Sequence, residues 1–78
     1  MREKTMRFIV TFRTTVGAMA MEKACKEENV PGRLIPVPRA ISAGCGMCWM
    51  APPEDKALVE GTARNHQLDV DGTYELML

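Results

Sequence analysis

The sequence lacks an excess of charge of either sign. Its 78 residues include ten basic and ten acidic side chains, so the formal net charge at pH 7 is zero. Proteins that bind nucleic acid or anionic membranes usually carry a basic excess or a basic patch. Composition therefore gives no electrostatic reason to expect nucleic acid or a membrane among the partners.

Long hydrophobic runs are also missing. The N-terminal stretch MREKTMRFIV is partly basic, but the apolar run that follows is interrupted at Arg13. A signal peptide needs a longer apolar segment, and a membrane-spanning helix needs about 20 apolar residues. We therefore expect a cytoplasmic protein.

The motifs of self-contained hydrolases are absent as well. The chain has one histidine, and it shows no Ser-His-Asp arrangement, no phosphate-binding loop and no paired-carboxylate motif. We therefore expect no bound cofactor, and a carrier or accessory protein is favoured over a stand-alone enzyme.

Cysteine is scarce but present in an odd number, as Cys25, Cys45 and Cys48. In a reducing compartment a pair of cysteines indicates metal binding or catalysis before a structural disulfide. The length and the 46% apolar content are those of a small globular protein, so we expect one domain spanning residues 1–78.

The first half of the chain predicts a strand followed by a helix. Residues Met6 to Phe12 alternate in the period of a strand, and Thr14 or Thr15 offers a hydroxyl cap for a helix over Val16 to Glu28. Asn29 suits the left-handed conformation that ends a helix. The helix residues expected to face the core are Ala18, Met21 and Cys25.

The second half predicts two strands, a helix and a final strand. Pro36 places the first of these strands at a sheet edge, and Asp71-Gly72 indicates a turn before the last strand. The predicted helix carries only a thin apolar stripe that includes Leu58, so Leu68 and Val70 should complete its packing. The predicted bounds are Arg33 to Val37, Met47 to Ala51, Pro52 to about Gln67, and Thr73 to Leu78.

This order of elements, βαββαβ, is that of an α+β ferredoxin-like sandwich. Two split βαβ units form a four-stranded antiparallel sheet with both helices on one face. The free edge at the proline-bearing strand, together with a small core, makes a homodimer reasonable.

The loop PRAISAGCGMC is the stretch in which chemistry is expected. Gly44 and Gly46 remove the Cβ atoms on both sides of Cys45, which permits positive φ and leaves the sulfur open to a bulky partner. Arg39 and the glycine N–H groups could favour the thiolate form of Cys45. The alternative is that the glycines only allow a tight connection and that Cys45 packs as a small apolar residue.

Cys45 and Cys48 also have the Cys-x-x-Cys spacing of a zinc knuckle or a redox pair. A closed zinc site needs four ligands, and only Cys25 and His66 remain in the chain, so two chains sharing their pairs is the better metal hypothesis. A dithiol redox function is disfavoured because Cys48 is predicted in a strand rather than at a helix N-terminus, and Cys48 could be a core residue. A protein-interaction domain without sulfur chemistry also stays open.

The same loop carries a family resemblance that covers most of the chain. An apolar strand runs into Pro-Arg, then a serine-containing loop and Cys-Gly, here Leu34–Val37, Pro38, Arg39, Ser42, Cys45 and Gly46. In this pattern the sequence resembles a family of small bacterial and archaeal proteins described as putative selenium/sulfur carrier protein-like, formerly a domain of unknown function.

The resemblance implies that Cys45 bears sulfur or selenium. It also implies a donor such as a cysteine desulfurase and an acceptor enzyme as partners. The sequence departs from the family pattern at Ala43-Gly44, which replaces small hydroxyl residues, and at Cys48, which stands at a usually apolar position. The residues expected to shape the loop are Pro38, Arg39, Ser42 and Gly46.

Overall fold

The computed structural model of the chain describes residues 5–41 and 45–78. Four strands, two helices and one short 3₁₀ turn account for most of these residues. No helix in the described ranges is long and apolar enough to cross a membrane. The bounds are β1 Met6–Phe12, α1 Thr15–Glu28, β2 Arg33–Pro36, β3 Met47–Ala51, the 3₁₀ turn Pro53–Asp55, α2 Lys56–Asn65 and β4 Val70–Met77.

The strands form one antiparallel sheet in the order β2-β3-β1-β4. The two central strands, β1 and β3, are therefore separated in sequence by α1 and β2, as in a ferredoxin-like fold. This confirms the predicted α+β architecture. It also confirms that the proline-bearing strand β2 lies at an edge of the sheet.

Helix α1 is delimited by the capping residues that the sequence indicated. The Thr14 hydroxyl accepts a hydrogen bond from the Gly17 N–H at 3.1 Å, which satisfies one of the free donors of the first turn. Asn29 ends the helix with φ of 56°, and its N–H bonds to carbonyls of the last turn. Capping hydrogen bonds at Thr14 and Asn29 therefore fix both ends of the helix.

The main core lies between the helices and one face of the sheet, which we call the helix-side face. Leu68 and Val70 pack against it as expected, whereas Leu58 is 48% exposed, contrary to the prediction. Helix α2 instead turns Val59, Thr62 and Ala63 inwards. The buried members of this core are Phe8, Val10, Phe12, Ala18, Met21, Cys25, Val30, Trp49, Ala51, Val59 and Ala63.

The predicted turn at Asp71-Gly72 is wrong, because these residues belong to β4. Gly72 pairs with Thr11, and the Thr11 hydroxyl donates to the Gly72 carbonyl at 3.2 Å. The chain reverses earlier, at Gln67, whose φ of 54° also ends α2 before the predicted boundary. A register irregularity between Thr11 and Phe12 keeps β4 paired with β1 from Gly72 back to Val70.

A second apolar cluster lies on the other face of the sheet, which we call the open face. Strand pairing puts Ile9, Cys48 and Ile35 on this face, in adjacent strands. Ile9 and Cys48 have no exposed surface although no helix covers them, and Ile41 from the β2–β3 loop is also buried in the cluster. The half-buried residues packed around these are Ile35, Val37, Met50, Leu76 and Leu78.

Candidate functional site

The loop that joins β2 to β3 is fixed at its base by backbone hydrogen bonds. The Val37 N–H donates to the Gly46 carbonyl at 2.9 Å, directly beyond the last β2–β3 pair, Pro36 and Met47. The Cys45 N–H donates to the Phe12 carbonyl at 3.0 Å. The backbone of Cys45 is therefore held between the end of β1 and the start of β3, close to the beginning of α1.

Gly46 is required by this geometry. Its φ is +93°, a conformation that residues with a side chain rarely adopt. Among residues 5–41 and 45–78, apart from its chain neighbours, no atom lies within 4 Å of the position that a Cβ would take. The glycine therefore supplies a backbone conformation rather than space for a packed neighbour. The residue itself is exposed, so the backbone after Cys45 borders solvent.

The Cys45 side chain is half-buried and packs against the helix-side core. Its Sγ lies 3.7 Å from the carbonyl oxygen of Met47, the length of a weak S–H···O hydrogen bond. One side of the thiol is thus supported by protein atoms, while the other borders solvent. The sequence predicted a more open thiol than this.

Cys48 lies on the open face, inside the cluster formed with Ile9 and Ile41. Burial raises the pKa of its thiol to about 11, with a further contribution from the negative charge of a Cys45 thiolate. The alternation of side chains along β3 explains why Cys48 faces away from Trp49 and the helix-side core. Cys48 is therefore a protonated residue of the second apolar cluster at neutral pH.

Cys25 is the third thiol, and it is buried in the helix-side core on α1. Burial, and then the nearby carboxylate of Glu28, raises its pKa to about 11. His66 contacts the Glu28 carboxylate rather than a cysteine. The three thiols are free, and among residues 5–41 and 45–78 no three His, Cys, Asp or Glu side chains come together as a metal site would require.

The other residues of the β2–β3 loop differ in their exposure and contacts. The Ile41 N–H donates to the Pro38 carbonyl at 2.9 Å, and this turn carries Arg39 at an exposed position. The Arg39 side chain makes no hydrogen bond or salt bridge with any described residue. The predicted site residues Ser42 and Gly44 lie outside the described residues.

Ile41 was not identified as important from the sequence. It anchors the loop by inserting into the open-face cluster, together with the half-buried Val37. The available signal was weak: these are two branched apolar residues four positions apart in a loop of otherwise small, polar or proline residues. Such a spacing is also common in helices and solvent-exposed loops, so it does not single out an anchor.

Comparison with known proteins supplies the context of this loop. The family model described as "Putative Se/S carrier protein-like" matches residues 7–75, which include β2, both helices, the cysteine loop and most of β4. The chain belongs to this family. It is also similar to a protein of Escherichia coli (strain K12) called "Uncharacterized protein YtiA", with 28% identity over 71 residues, covering 86% of this chain and 84% of the relative. No solved structure matches significantly.

Within this Se/S carrier family member, the three cysteines differ in what they offer chemically. A carrier thiol must be reached by a donor and then by an acceptor, and a thiolate rather than a thiol is the nucleophile. Cys25 and Cys48 are almost completely buried, at 1% and 0% exposure, and both have a raised pKa. Cys45 is the thiol with access to solvent.

Proposed function

We propose that this protein carries sulfur or selenium as a persulfide or selenopersulfide on Cys45. The observation that carries the proposal is the combination of family membership with one solvent-accessible thiol among three. The family description supports sulfur or selenium as the cargo, and the burial of Cys25 and Cys48 supports Cys45 as the residue that receives it. The protein acts in the cytosol and needs no bound cofactor for this chemistry.

The loading step is a transfer of sulfane sulfur without net oxidation. Cys45 loses its proton to water, and the thiolate attacks the terminal sulfur of a persulfide on the donor, a cysteine desulfurase-type enzyme. A bond forms between Cys45 Sγ and that sulfur, while the donor sulfur–sulfur bond breaks and its electron pair stays on the donor cysteine. Delivery repeats the same exchange towards an acceptor enzyme, and selenium would follow the same path.

The loop contributes support on one side of the thiol and access on the other. The two backbone hydrogen bonds, from Cys45 to Phe12 and from Val37 to Gly46, limit movement of the sulfur relative to the sheet. Gly46 adds no side chain beside Cys45, on the side from which we expect a partner's cysteine to approach. In this proposal Arg39, Ser42 and Gly44 shape the loop that presents Cys45.

The geometry weighs against the alternatives that use Cys45 and Cys48 as a pair. Cys45 packs on the helix-side core and Cys48 in the open-face cluster, so a shared metal ion or a disulfide would require Cys48 to leave its apolar surroundings. Removing a buried side chain from such a cluster costs a few kcal/mol. A metal site shared between two chains faces the same cost twice.

Loading can be tested with a cysteine desulfurase, cysteine and the purified protein, followed by intact-mass measurement. We expect the mass to rise by one sulfur atom, and the adduct to disappear on reduction with dithiothreitol. Cys45→Ala should abolish the adduct, whereas the matched variant Cys48→Ala should retain it. No adduct on the native protein, or an adduct that survives Cys45→Ala, would refute the proposal, and loss of loading in Cys48→Ala would favour the dithiol alternative.

A further inference from the structure

A cleft lies on the open face of the sheet, at the opposite end from Cys45. The beginnings of β1 and β2 and the ends of β3 and β4 meet at this end, since the strands are antiparallel. The cleft has a volume of about 210 Å³. The residues that line it are Arg7, Arg33, Ile35, Met50 and Leu78.

A second cleft adjoins the first and shares part of its wall. It has a volume of about 300 Å³ and is bordered by the same two arginines and by Met50. Gly32 and Pro52 also line it. Arg7 and Arg33 therefore flank a continuous depression across β3, with Met50 at its centre.

Both arginines lack a carboxylate partner among the described residues. Arg13 pairs with Asp69 at 2.5 Å and lies 3.9 Å from Asp71, whereas no salt bridge involves Arg7 or Arg33 in residues 5–41 and 45–78. The paired strand positions on the open face carry no acidic side chain, as the strand register shows. The positive charge of the cleft is thus not neutralised by the sheet that bears it.

Arg7 carries a further sign of a missing partner. Its Nε is buried from solvent and has no hydrogen-bond acceptor among residues 5–41 and 45–78. A buried donor without an acceptor costs about 1–3 kcal/mol and is uncommon in folded proteins. A guanidinium held partly out of water in this way is suited to bind an anion that enters the cleft, because the cost of removing its water has already been met.

The rest of the lining is apolar, and this restricts the kind of anion. Ile35, Met50 and Leu78 belong to the open-face cluster and are only half-buried, so an apolar group in the cleft would cover surface that now faces water. A fully hydrated inorganic anion would gain nothing from these side chains. A ligand with an anionic end and a short aliphatic body would use both parts of the site.

We propose that this cleft binds a carboxylate carried on a short apolar body, with Arg7 and Arg33 holding the carboxylate and Met50, Ile35 and Leu78 contacting the aliphatic part. The ligand is either a small aliphatic acid or the terminal carboxylate of a peptide ending in an apolar residue. This site is independent of the sulfur chemistry proposed for Cys45, since it lies at the other end of the sheet and uses none of the loop residues.

The proposal can be tested by following the methyl signal of Met50 by nuclear magnetic resonance while hexanoate is added to the full chain at low salt. We expect a saturable shift of this signal with hexanoate and little or none with hexan-1-ol or inorganic phosphate at equal concentration. Shifts of equal size and affinity with hexan-1-ol would overturn the role of the arginines. Equal affinity for inorganic phosphate would overturn the role of the apolar wall, and no saturable shift would overturn the site.

Variants identify the residues that hold the carboxylate. Arg7→Met and Arg33→Met each keep an unbranched apolar stem, and each should weaken hexanoate binding about tenfold, as expected for loss of a charge-assisted hydrogen bond. The matched control is Arg64→Met, which removes the same charge from the exposed side of α2 and should leave the affinity unchanged. Equal weakening in the control would overturn the proposal in favour of a general charge effect.

The source of the carboxylate is decided by a comparison of ligands. A leucine-ending tripeptide with a free C terminus is titrated beside the same tripeptide with an amidated C terminus. Tighter binding of the free peptide than of hexanoate supports a partner's chain terminus, and tighter binding of hexanoate supports a small acid. Equal binding of the free and amidated peptides, together with equal binding of hexanoate and hexan-1-ol, would remove the carboxylate from the proposal altogether.

Discussion

Cys45 and Cys48 are three residues apart in sequence, but their side chains contact opposite faces of the same sheet. Cys45 precedes β3 and packs on the helix-side core, whereas Cys48 is the second residue of β3 and points into the open-face cluster. The Cys-x-x-Cys spacing therefore does not bring both side chains to the same face of the sheet. The relationship is what we expect if Cys45 exchanges sulfur with partners, as proposed, while Cys48 takes no part.

This separation predicts a large difference in thiol reactivity. Under native conditions at neutral pH, iodoacetamide should modify Cys45 first, and Cys25 and Cys48 at least about a hundredfold more slowly, because both must be exposed by local opening. Peptide mass mapping over time measures the three rates. In denaturant all three thiols should react at similar rates, which serves as the control, and comparable native rates for Cys45 and Cys48 would contradict the assignment of Cys48 to a buried cluster.

The raised pKa values of Cys25 and Cys48 predict that stability falls in alkaline solution. In the folded protein these thiols have a pKa of about 11, against an ordinary value of 9.0. Their protonated forms are favoured by folding, so their contribution is fully present below about pH 9 and is lost as the pH rises towards 11. The loss should be on the order of 2 kcal/mol for each thiol.

Urea denaturation across this pH range measures the effect. Other groups also titrate in alkali, so the native protein is compared with Cys48→Ala and Cys25→Ala at each pH. Each variant is less stable at neutral pH but should lose less stability between pH 9 and 11 than the native protein. An identical pH dependence in all three proteins would show that neither thiol titrates with a raised pKa.

Much of the fold followed from local sequence signals, and the failures have physical causes. Strand β1 and helix α1 could be predicted from the alternation in Met6–Phe12 and from the caps Thr14 and Asn29, because each signal depends only on nearby residues. The Asp71-Gly72 turn was wrong because the reversal had already been made at Gln67, a residue type that rarely takes positive φ. Long-range pairing of Gly72 with Thr11 then overrode a local turn preference.

In the candidate site, too, features set by neighbouring residues could be predicted, whereas features set by long-range strand pairing could not. The sequence and the family resemblance together singled out Cys45 and its glycines, since a glycine-flanked cysteine is a local feature. The burial of Cys48 on one face and the anchoring of the loop by Ile41 depend on the open face of the sheet, which exists only once four strands have paired. The cleft between Arg7 and Arg33 likewise joins residues 26 positions apart in the sequence, and no local pattern connects them.

The position of Ile41 predicts that this residue holds the cysteine loop on the sheet. Ile41→Ala should destabilise the protein by about 2–3 kcal/mol, because it leaves a cavity beside Ile9 and Cys48. It should also raise the native alkylation rate of Cys48, since the cover of that thiol is removed. Leu58→Ala is the control: this leucine is 48% exposed, so truncation should cost less than about 0.5 kcal/mol and leave the Cys48 rate unchanged. If Ile41→Ala lowered stability without raising the alkylation rate of Cys48, Ile41 would not be the residue that covers this thiol.

The conformation of Gly46 predicts a selective effect on sulfur loading. Gly46→Ala introduces a side chain at φ of +93°, where no described residue other than its chain neighbours lies within 4 Å, so we assign a cost of about 1–2 kcal/mol to backbone strain. The strain should be relieved by a shift of the backbone at Cys45, and loading of sulfur by a cysteine desulfurase should slow severalfold.

The matched control for this change is Gly61→Ala. Gly61 also has open space around an added Cβ, but it lies inside helix α2, where alanine is favoured over glycine by about 0.5–1 kcal/mol. The two variants add the same methyl group, so they should change the urea midpoint in opposite directions, and only Gly46→Ala should change the loading rate. Equal loading rates for both variants would mean that the backbone conformation after Cys45 has no part in sulfur transfer.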